Sequence, residues 1–401
     1  MKSAVADVCL DKDLSQPEPI PEEAIARAVE IMRGGRLHRY GEQGAGHAEV
    51  SLLEQEYAAY VGSRYCVALN SCGAAMLIAL KALGVRPKDP VLTSSFTLSP
   101  VPGAIAHASA TPVLVATAAN YTTDLADLRV QARRSGAKVF LLSHMRGHIG
   151  DLRATRLLCD EMGIQVVEDC AHTMGAKWDG RYTGTWGQVG CFSTQTYKHI
   201  NSGEGGLLVT DDADVAAQAI LMSGSYMLYG QHIVKPDNAV FERWKYVTPN
   251  FSMRMSNLAA ALLRPQLGML ARRATTWNGL YGLLAAELVK IDHVSLPRRD
   301  AREEFVASSI QFSLALEPSR IEVFLQACAR RGVFVKWFGA QQPVGFTSNA
   351  SHWHYVPERP DAPGTIVEHL CDMRISTFLT ARDCTLIGEI IAASVALASA
   401  A

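Results

Sequence analysis

The chain has 401 residues, 48 % of them hydrophobic and 19 % charged, enough for two or three domains around a large core. Lys and Arg total 38 against 39 Asp and Glu, a formal net charge of -1, so no field of one sign is available to hold a nucleic-acid backbone or an acidic membrane. Acids and prolines fill the first twenty residues, where a secretory signal needs an apolar core, and the C-terminal run 386–401 is interrupted by Gly388 and Glu389 and reads as too short to span a bilayer. The expectation is a soluble, cytoplasmic protein with no nucleic-acid or membrane partner.

In chain order, residues 21–33 read as a helix started by Pro21 and stopped by Gly34-Gly35. A second helix, 50–61, carries apolar residues at Leu52, Leu53, Tyr57 and Tyr60 and ends at Gly62. A strand at 65–69, the small-residue turn Asn70-Ser71-Cys72-Gly73 and a helix at 74–83 follow closely. Further strands are expected at 90–92, 111–115, 138–142, 165–168, 189–193 and 206–210, mostly separated by helix-length segments such as 152–162. Alternation of this kind predicts one large, mainly parallel sheet with helices on both faces. After about residue 260 a long helical stretch, 258–288, reads as broken near Asn278-Gly279. It leads into segments at 308–316, 318–331 and 333–336 and a last helix from Ala381, together a smaller α+β domain. The proline-rich stretch 343–363 reads as a loop over the surface or across a site mouth.

Three places could carry chemistry. Small residues at 70–73, between a strand and a helix, let N–H groups at a helix N-terminus converge on an anion, although a plain tight turn has the same composition. Glu168-Asp169 ends an apolar strand and would lie at the carboxyl edge of the sheet, where α/β folds bind ligands; helix capping by Asp169 is the alternative. Lys198 lies in a polar loop, flanked by Tyr197 and Ile200 and followed by Gly203-Glu204-Gly205-Gly206, a turn that allows close backbone packing, partial burial and a lowered lysine pKa.

Histidines 144 and 148 have zincin spacing without the glutamate and follow a strand, and His352-Trp353-His354 reads as a loop contact, so no metal is expected. Nine cysteines stand apart with no CxxC pair, which suits buried thiols in a reducing compartment. Cys72 reads as a small residue filling the turn, a depressed thiol pKa being the other option. The aromatics Trp337, Phe338, Trp353 and Tyr355 could wall a substrate mouth or belong to the core.

Together these features resemble the DegT/DnrJ/EryC1/StrS family of fold-type I, pyridoxal-phosphate-dependent sugar aminotransferases over nearly the whole chain. The matching positions are Leu53-Glu54 to Gly62, Ser71 to Leu80, Ser95-Phe96-Thr97, Glu168-Asp169, Gly184 to Gly187, Phe192-Ser193 with Lys198, Gly203 to Gly206, and Arg254-Met255 with Ala259-Ala260. The resemblance implies an N-terminal segment and helix (1–35), a large three-layer cofactor-binding domain (36–260) and a small C-terminal domain (261–401). It implies an obligate homodimer that moves an amino group from an amino-acid donor to a ketone or aldehyde acceptor. Lys198 would be the catalytic Schiff-base lysine and proton carrier. Asp169 would pair with the pyridine nitrogen and His172 would lie beside the ring hydroxyl. Ser193 and the turn Ser71, Cys72 and Gly73, through the N–H groups of Cys72 and Gly73, would hold the phosphate.

Departures matter too. Ser71-Cys72-Gly73 replaces the family's Ser-Gly-Thr, and Leu98 stands where an aromatic normally covers the ring, leaving stacking to Phe96 if it swings in. The phosphate-binding asparagine expected from the neighbouring subunit aligns with Ser252, with Asn250 two residues upstream. Arg146 occupies an aromatic position after the strand 138–142, and Arg374 lies in a segment that lacks the family's proline-flanked histidine. If both arginines face the pocket, they suit a carboxylate or phosphate on a smaller carbonyl compound or cyclitol rather than a nucleotide ketohexose; if they face solvent, they say nothing. The family's dehydratase branch carries histidine in place of the lysine, so Lys198 argues against it, and a regulatory homologue without turnover is disfavoured by the intact Asp169, Ser193 and Lys198.

Overall fold

The computed structural model describes residues 8–41, 47–362 and 364–400; Pro363, at the end of the expected loop, lies outside them. Seven strands form the large sheet: β1 (Tyr65–Leu69), β2 (Pro90–Ser94), β3 (Thr111–Val115), β4 (Val139–Ser143), β5 (Gln165–Asp169), β6 (Val189–Ser193) and β7 (Gly206–Thr210). Their spatial order is β1-β7-β6-β5-β4-β2-β3. Pairing is parallel from β3 through β6, and β7 is antiparallel to both its neighbours.

Strand alternation covers both faces. Phe140 and Leu142 of β4 enter a core shared with the helices Leu125–Ser135, Leu152–Met162 and Leu270–Leu288. Val139 and Leu141 point the other way, into a core shared with the helices Cys72–Ala82, Pro100–His107 and Ala213–Ser223. The resulting three-layer α/β architecture is the expected one.

A second, antiparallel sheet orders Val294–Ser295, Ser309–Leu314, Leu370–Arg374 and Lys336–Trp337. Ile310, Phe312, Cys371 and Met373 pack from it onto Phe324, Leu284 and Ile387 of the adjoining helices. Leu10 and Leu14 join this same core, and the Leu10 N–H donates to the Arg331 carbonyl at 2.9 Å.

Two expected features are corrected. The long helical stretch breaks at Gly268, between Asn257–Leu267 and Leu270–Leu288, a few residues after Pro265, and residue 260 falls inside the first of these helices. Asn278 stays helical because its amide serves the outside: Nδ2 donates to the Phe305 carbonyl (2.8 Å) and Oδ1 accepts from the Ala307 N–H (2.9 Å). The C-terminal helix Ala381–Ala400 runs unbroken for 20 residues and is apolar enough by composition to cross a membrane. Its Cys384, Ile387, Ile391, Val395 and Ala398 face are packed in the core. Gly388 does not interrupt it; a Cβ there would collide with Glu287, so the missing side chain lets two helices approach closely.

Candidate active site

Five chain segments end or turn at one edge of the large sheet. The register sets Ser143 beside Asp169, Asp169 beside Cys191, Ser193 beside Gly206 and Gly206 beside Leu69. This is the carboxyl edge of the parallel strands, where helix N-termini and loops gather.

The turn after β1 is built around Ser71, which caps the helix Cys72–Ala82 by accepting the Ala74 N–H at 3.0 Å. The N–H groups of Cys72 and Gly73, in the first turn of that helix, have no acceptor among the described residues. Opposite them is Gly206, where a Cβ would run into the Ser71 carbonyl and the Cys72 nitrogen; the closeness expected of the glycine-rich turn is found at this contact. The Ser193 hydroxyl accepts the Gln195 N–H at 3.3 Å, and its own proton has no acceptor among the described residues.

The two acidic residues at the end of β5 have different employment. Glu168 is fully buried and accepts from His144 Nε2 (3.0 Å) and from the N–H groups of Gly184 (2.9 Å), Trp186 (2.7 Å) and Gly187 (2.7 Å). Burial alone would raise its pKa, but these bonds outweigh it and hold the carboxyl below the usual range. Glu168 is therefore spent on fastening the 184–187 turn. Asp169 accepts the Ser143 hydroxyl at 2.7 Å and the Ala171 N–H at 3.1 Å, with Cys72 Sγ at 3.9 Å. Behind it, Thr97 Oγ1 donates to Ser143 Oγ at 2.8 Å. Burial pushes the Cys72 thiol well up, with Asp169 adding to the effect, so Cys72 is a filler of the turn rather than a nucleophile.

Lys198 lies in the 194–205 loop between β6 and β7, tied at its base by Thr194 N–H to Gly205 O (3.0 Å) and Thr196 N–H to Gly203 O (3.0 Å). Its Nζ is 2.9 Å from His172 Nε2. Burial first, and the Arg146 charge second, push the ammonium down to about 8, with Asp169 opposing in part. Burial and the same cations press the His172 imidazole well below its ordinary value, so the ring is neutral. His172 Nδ1 accepts the Arg146 N–H at 3.4 Å; with that bond the ring proton is on Nε2 and is matched to the free amine, the form Lys198 takes above about pH 8.

Asn250 and Ser252 stand apart from this group. Both are exposed, Asn250 Oδ1 takes the Ser252 N–H at 2.9 Å, and no hydrogen bond joins either to Cys72, Asp169, Ser193 or Lys198. Their segment runs past the end of β1, where the Met253 carbonyl accepts the Asn70 N–H.

The remaining residues singled out in the sequence are placed as follows. Phe96 is buried edge-on to Phe338, centroids 5.2 Å apart, with Leu98 packed against the same cluster. Trp337, Phe338 and Trp353 are core, and only Tyr355 is exposed, its hydroxyl donating to the Ser99 carbonyl. Neither Arg146 nor Arg374 points freely to solvent. Arg146 pairs with buried Asp372 at 3.2 Å, and Arg374 lies over the Tyr197 ring at 4.9 Å. His148 bonds Gln311, and His352 closes a capping box with Asn349. Sequence reasoning missed Ser143, Lys336 and Asp372; the one available signal was Ser143 as a polar end to an apolar strand.

The model of the DegT/DnrJ/EryC1/StrS aminotransferase family matches residues 19–342. The spore coat polysaccharide biosynthesis protein SpsC of Bacillus subtilis is 32 % identical over 257 residues, 62 % of each chain. A dTDP-3-amino-3,4,6-trideoxy-alpha-D-glucose transaminase of Streptomyces venezuelae is 31 % identical over 240 residues, 60 % of this chain and 59 % of that one. The chain thus spans about three fifths of the length of these curated relatives. Among solved structures, the aminotransferase TlmJ from Streptoalloteichus hindustanus superposes with a TM-score of 0.81 at 20 % identity, covering 96 % of this chain and 98 % of that one, a likeness of fold.

Proposed function

Because the chain belongs to the DegT/DnrJ/EryC1/StrS aminotransferase family, we propose that it is a pyridoxal-phosphate-dependent aminotransferase passing an amino group from an amino-acid donor to a ketone or aldehyde acceptor. The observation that carries this reading is Lys198 Nζ, 2.9 Å from a neutral His172 and lowered to about 8, at the sheet edge where Asp169 is anchored. When bound, pyridoxal phosphate supplies an aldehyde for a lysine amine and a ring that takes up the electrons released from a broken C–H bond.

The residues at the edge fit that group. Unpartnered N–H groups of Cys72 and Gly73 and the free Ser193 hydroxyl proton suit the phosphate, and the bare Gly206 keeps the cradle open. Asp169, fixed by Ser143 and the Ala171 N–H, would keep a proton on the ring nitrogen; His172 would lie beside the ring hydroxyl. Lys198 carries out the proton traffic at the substrate carbon, a task for which an amine poised near neutral pH is well matched.

A homodimer belongs to the same reading. Tyr226, Met227, Tyr246 and Val247 are 58–84 % exposed on the segment leading to Asn250 and Ser252, an apolar surface that a second copy would cover while offering Asn250 or Ser252 to the partner's phosphate. Residues 36–260 would bind the cofactor and 261–401 would close the substrate side. A cytoplasmic location accords with nine unbridged cysteines, eight of them buried. Borohydride reduction of the cofactor-loaded protein followed by peptide mass analysis should find the pyridoxyl group on Lys198; an adduct on another lysine overturns the assignment.

A further inference from the structure

Arg146 occupies an unusual place. It sits at φ 53° in the short turn Met145–Gly147, a left-handed conformation uncommon for a residue with a long side chain. Its backbone N–H reaches His172, the neighbour of Lys198, and its guanidinium lies 5.8 Å from the Phe338 ring centroid. Only 11 % of the side chain is exposed, yet its Nε is buried with no hydrogen-bond partner among the described residues.

The surrounding charges do not balance. Arg146 Nη2 approaches Asp372 Oδ2 at 3.2 Å, and Lys336 Nζ reaches the same oxygen at 3.8 Å. Among the described residues, that oxygen makes no aligned hydrogen bond, while Oδ1 accepts from Gln311 Nε2 at 2.7 Å. Two cations share one fully buried carboxylate, and both act on Lys198 and His172. Burial and the Arg146 charge lower the Lys336 ammonium although Asp372 opposes them. Positive charge beside the reactive lysine, with Arg146 nearly buried, the Lys336 side chain 40 % exposed and donor capacity to spare, is a receptor for an anion reached from the Lys336 side, and Asp372 shows that a carboxylate fits between these two cations.

Resting on the aminotransferase reading, we infer that Arg146 and Lys336 form a substrate-carboxylate site next to Lys198, in which Asp372 acts as an internal stand-in. The incoming carboxylate takes the free Nε–H and a share of Lys336, without any bond being made or broken. The substrate class that follows is a carboxylate-bearing amino donor, a carboxylate-bearing carbonyl acceptor, or both, since both half-reactions of the proposed transfer would run at Lys198.

Glutarate, a dicarboxylate with no amino, ketone or aldehyde group, is the probe, and glutaramide is its neutral control. Calorimetric titration of the holoenzyme in its pyridoxal form reports the donor's site, and titration of its pyridoxamine form reports the acceptor's. Glutarate should bind at least one form and glutaramide neither. Arg146→Met and Lys336→Met should weaken glutarate about 10- to 100-fold, with partial recovery in Arg146→Lys. Asp372→Asn should tighten it several-fold by removing the internal competitor, an effect that a merely structural residue would not produce. Should Asp372→Asn fail to fold, the two cation variants decide the matter. Glutarate that binds neither form of the wild type, or binds the Met variants within twofold of it, overturns the site. Borohydride labelling of Lys198 in the same preparations separates the conclusions: labelled protein indifferent to these substitutions overturns the anion site alone, and protein that cannot be labelled overturns the aminotransferase reading beneath it.

Discussion

A lysine held near 8 when its ordinary value is 10.5 carries a cost that can be removed. At pH 7 the unfolded lysine is almost fully protonated and the folded one has given up some of that preference. The difference of 2.5 in pKa corresponds to about 3 kcal/mol against the folded state at neutral pH. Between pH 8 and 10.5 the unfolded chain binds more protons than the folded one, so stability rises with pH there, and by pH 10 the penalty falls to about 1 kcal/mol. Lys198→Met keeps most of the side-chain volume and discards the charge. Losing the hydrogen bond to His172 costs about 1 kcal/mol, which leaves the cofactor-free variant more stable than the cofactor-free wild type by about 2 kcal/mol at pH 7 and by nothing measurable at pH 10. Urea unfolding of both proteins at the two pH values tests this, and taking the difference cancels the titration of the cysteines and tyrosines. A variant less stable than wild type at pH 7, or a gap that does not shrink with pH, would refute the claim that enclosure of Lys198 is what lowers its pKa.

Three further outcomes are expected. Asp169→Asn should retain cofactor but slow the proton-transfer step by about 10²-fold or more; turnover equal to wild type counts against its role. Gly206→Ala should weaken cofactor binding at least tenfold while costing only about 1–3 kcal/mol of stability, because the added methyl displaces the Ser71–Cys72 backbone; unchanged affinity in a cofactor titration would show that the cradle lies elsewhere. Glu54, fully buried, accepts from Arg39 Nη1 (2.7 Å), His232 Nδ1 (2.9 Å) and the Ala68 N–H (2.9 Å). Burial would raise its pKa, but Arg39 and His232 bring it to about 2, so its contribution, about 3 kcal/mol, is complete above pH 5 and lost as pH falls through 4 toward 2. In urea unfolding, Glu54→Gln should cost about 3–5 kcal/mol at pH 7 and much less at pH 3; an equal loss at both values would exclude the charge as the cause.

The large sheet was legible in the sequence because its strands are short apolar runs cut off by Pro, Gly or Asp, and four of them, β1, β3, β6 and β7, match their expected limits. The helix break was misplaced because Asn278-Gly279 looks like a turn in one dimension, whereas Asn278 spends its amide on a distant loop. Lys198, Asp169 and the 70–73 turn could be read as a set because each sits beside its own punctuation, a strand end or a glycine. The Thr97–Ser143–Asp169 chain and the Arg146–Asp372–Lys336 cluster could not. Their members are ordinary residue types, and Asp372 lies more than two hundred positions from Arg146 in the chain. Only the pairing of strands brings them together. For Arg146 the sequence offers pocket-facing or solvent-facing, and what it does not offer is the internal partner Asp372, which holds the guanidinium buried beside His172 and Lys198.

The position of β7 has a consequence for how the chain assembles. Among the described strands β1 pairs with β7, and beyond that Leu69 makes a single bridge to Arg254, so residues 65–69 have no sheet neighbour until residues 206–210 exist. During synthesis β2 to β6 can line up in parallel first, while β1 waits with an unpaired edge and an apolar sequence. The same closure brings Gly206 against the Ser71–Cys72 backbone, so the proposed phosphate cradle would come into being in the step that completes the sheet. Free pyridoxal phosphate, present as the chain folds, would favour that last pairing by mass action, making cofactor supply a determinant of folding yield.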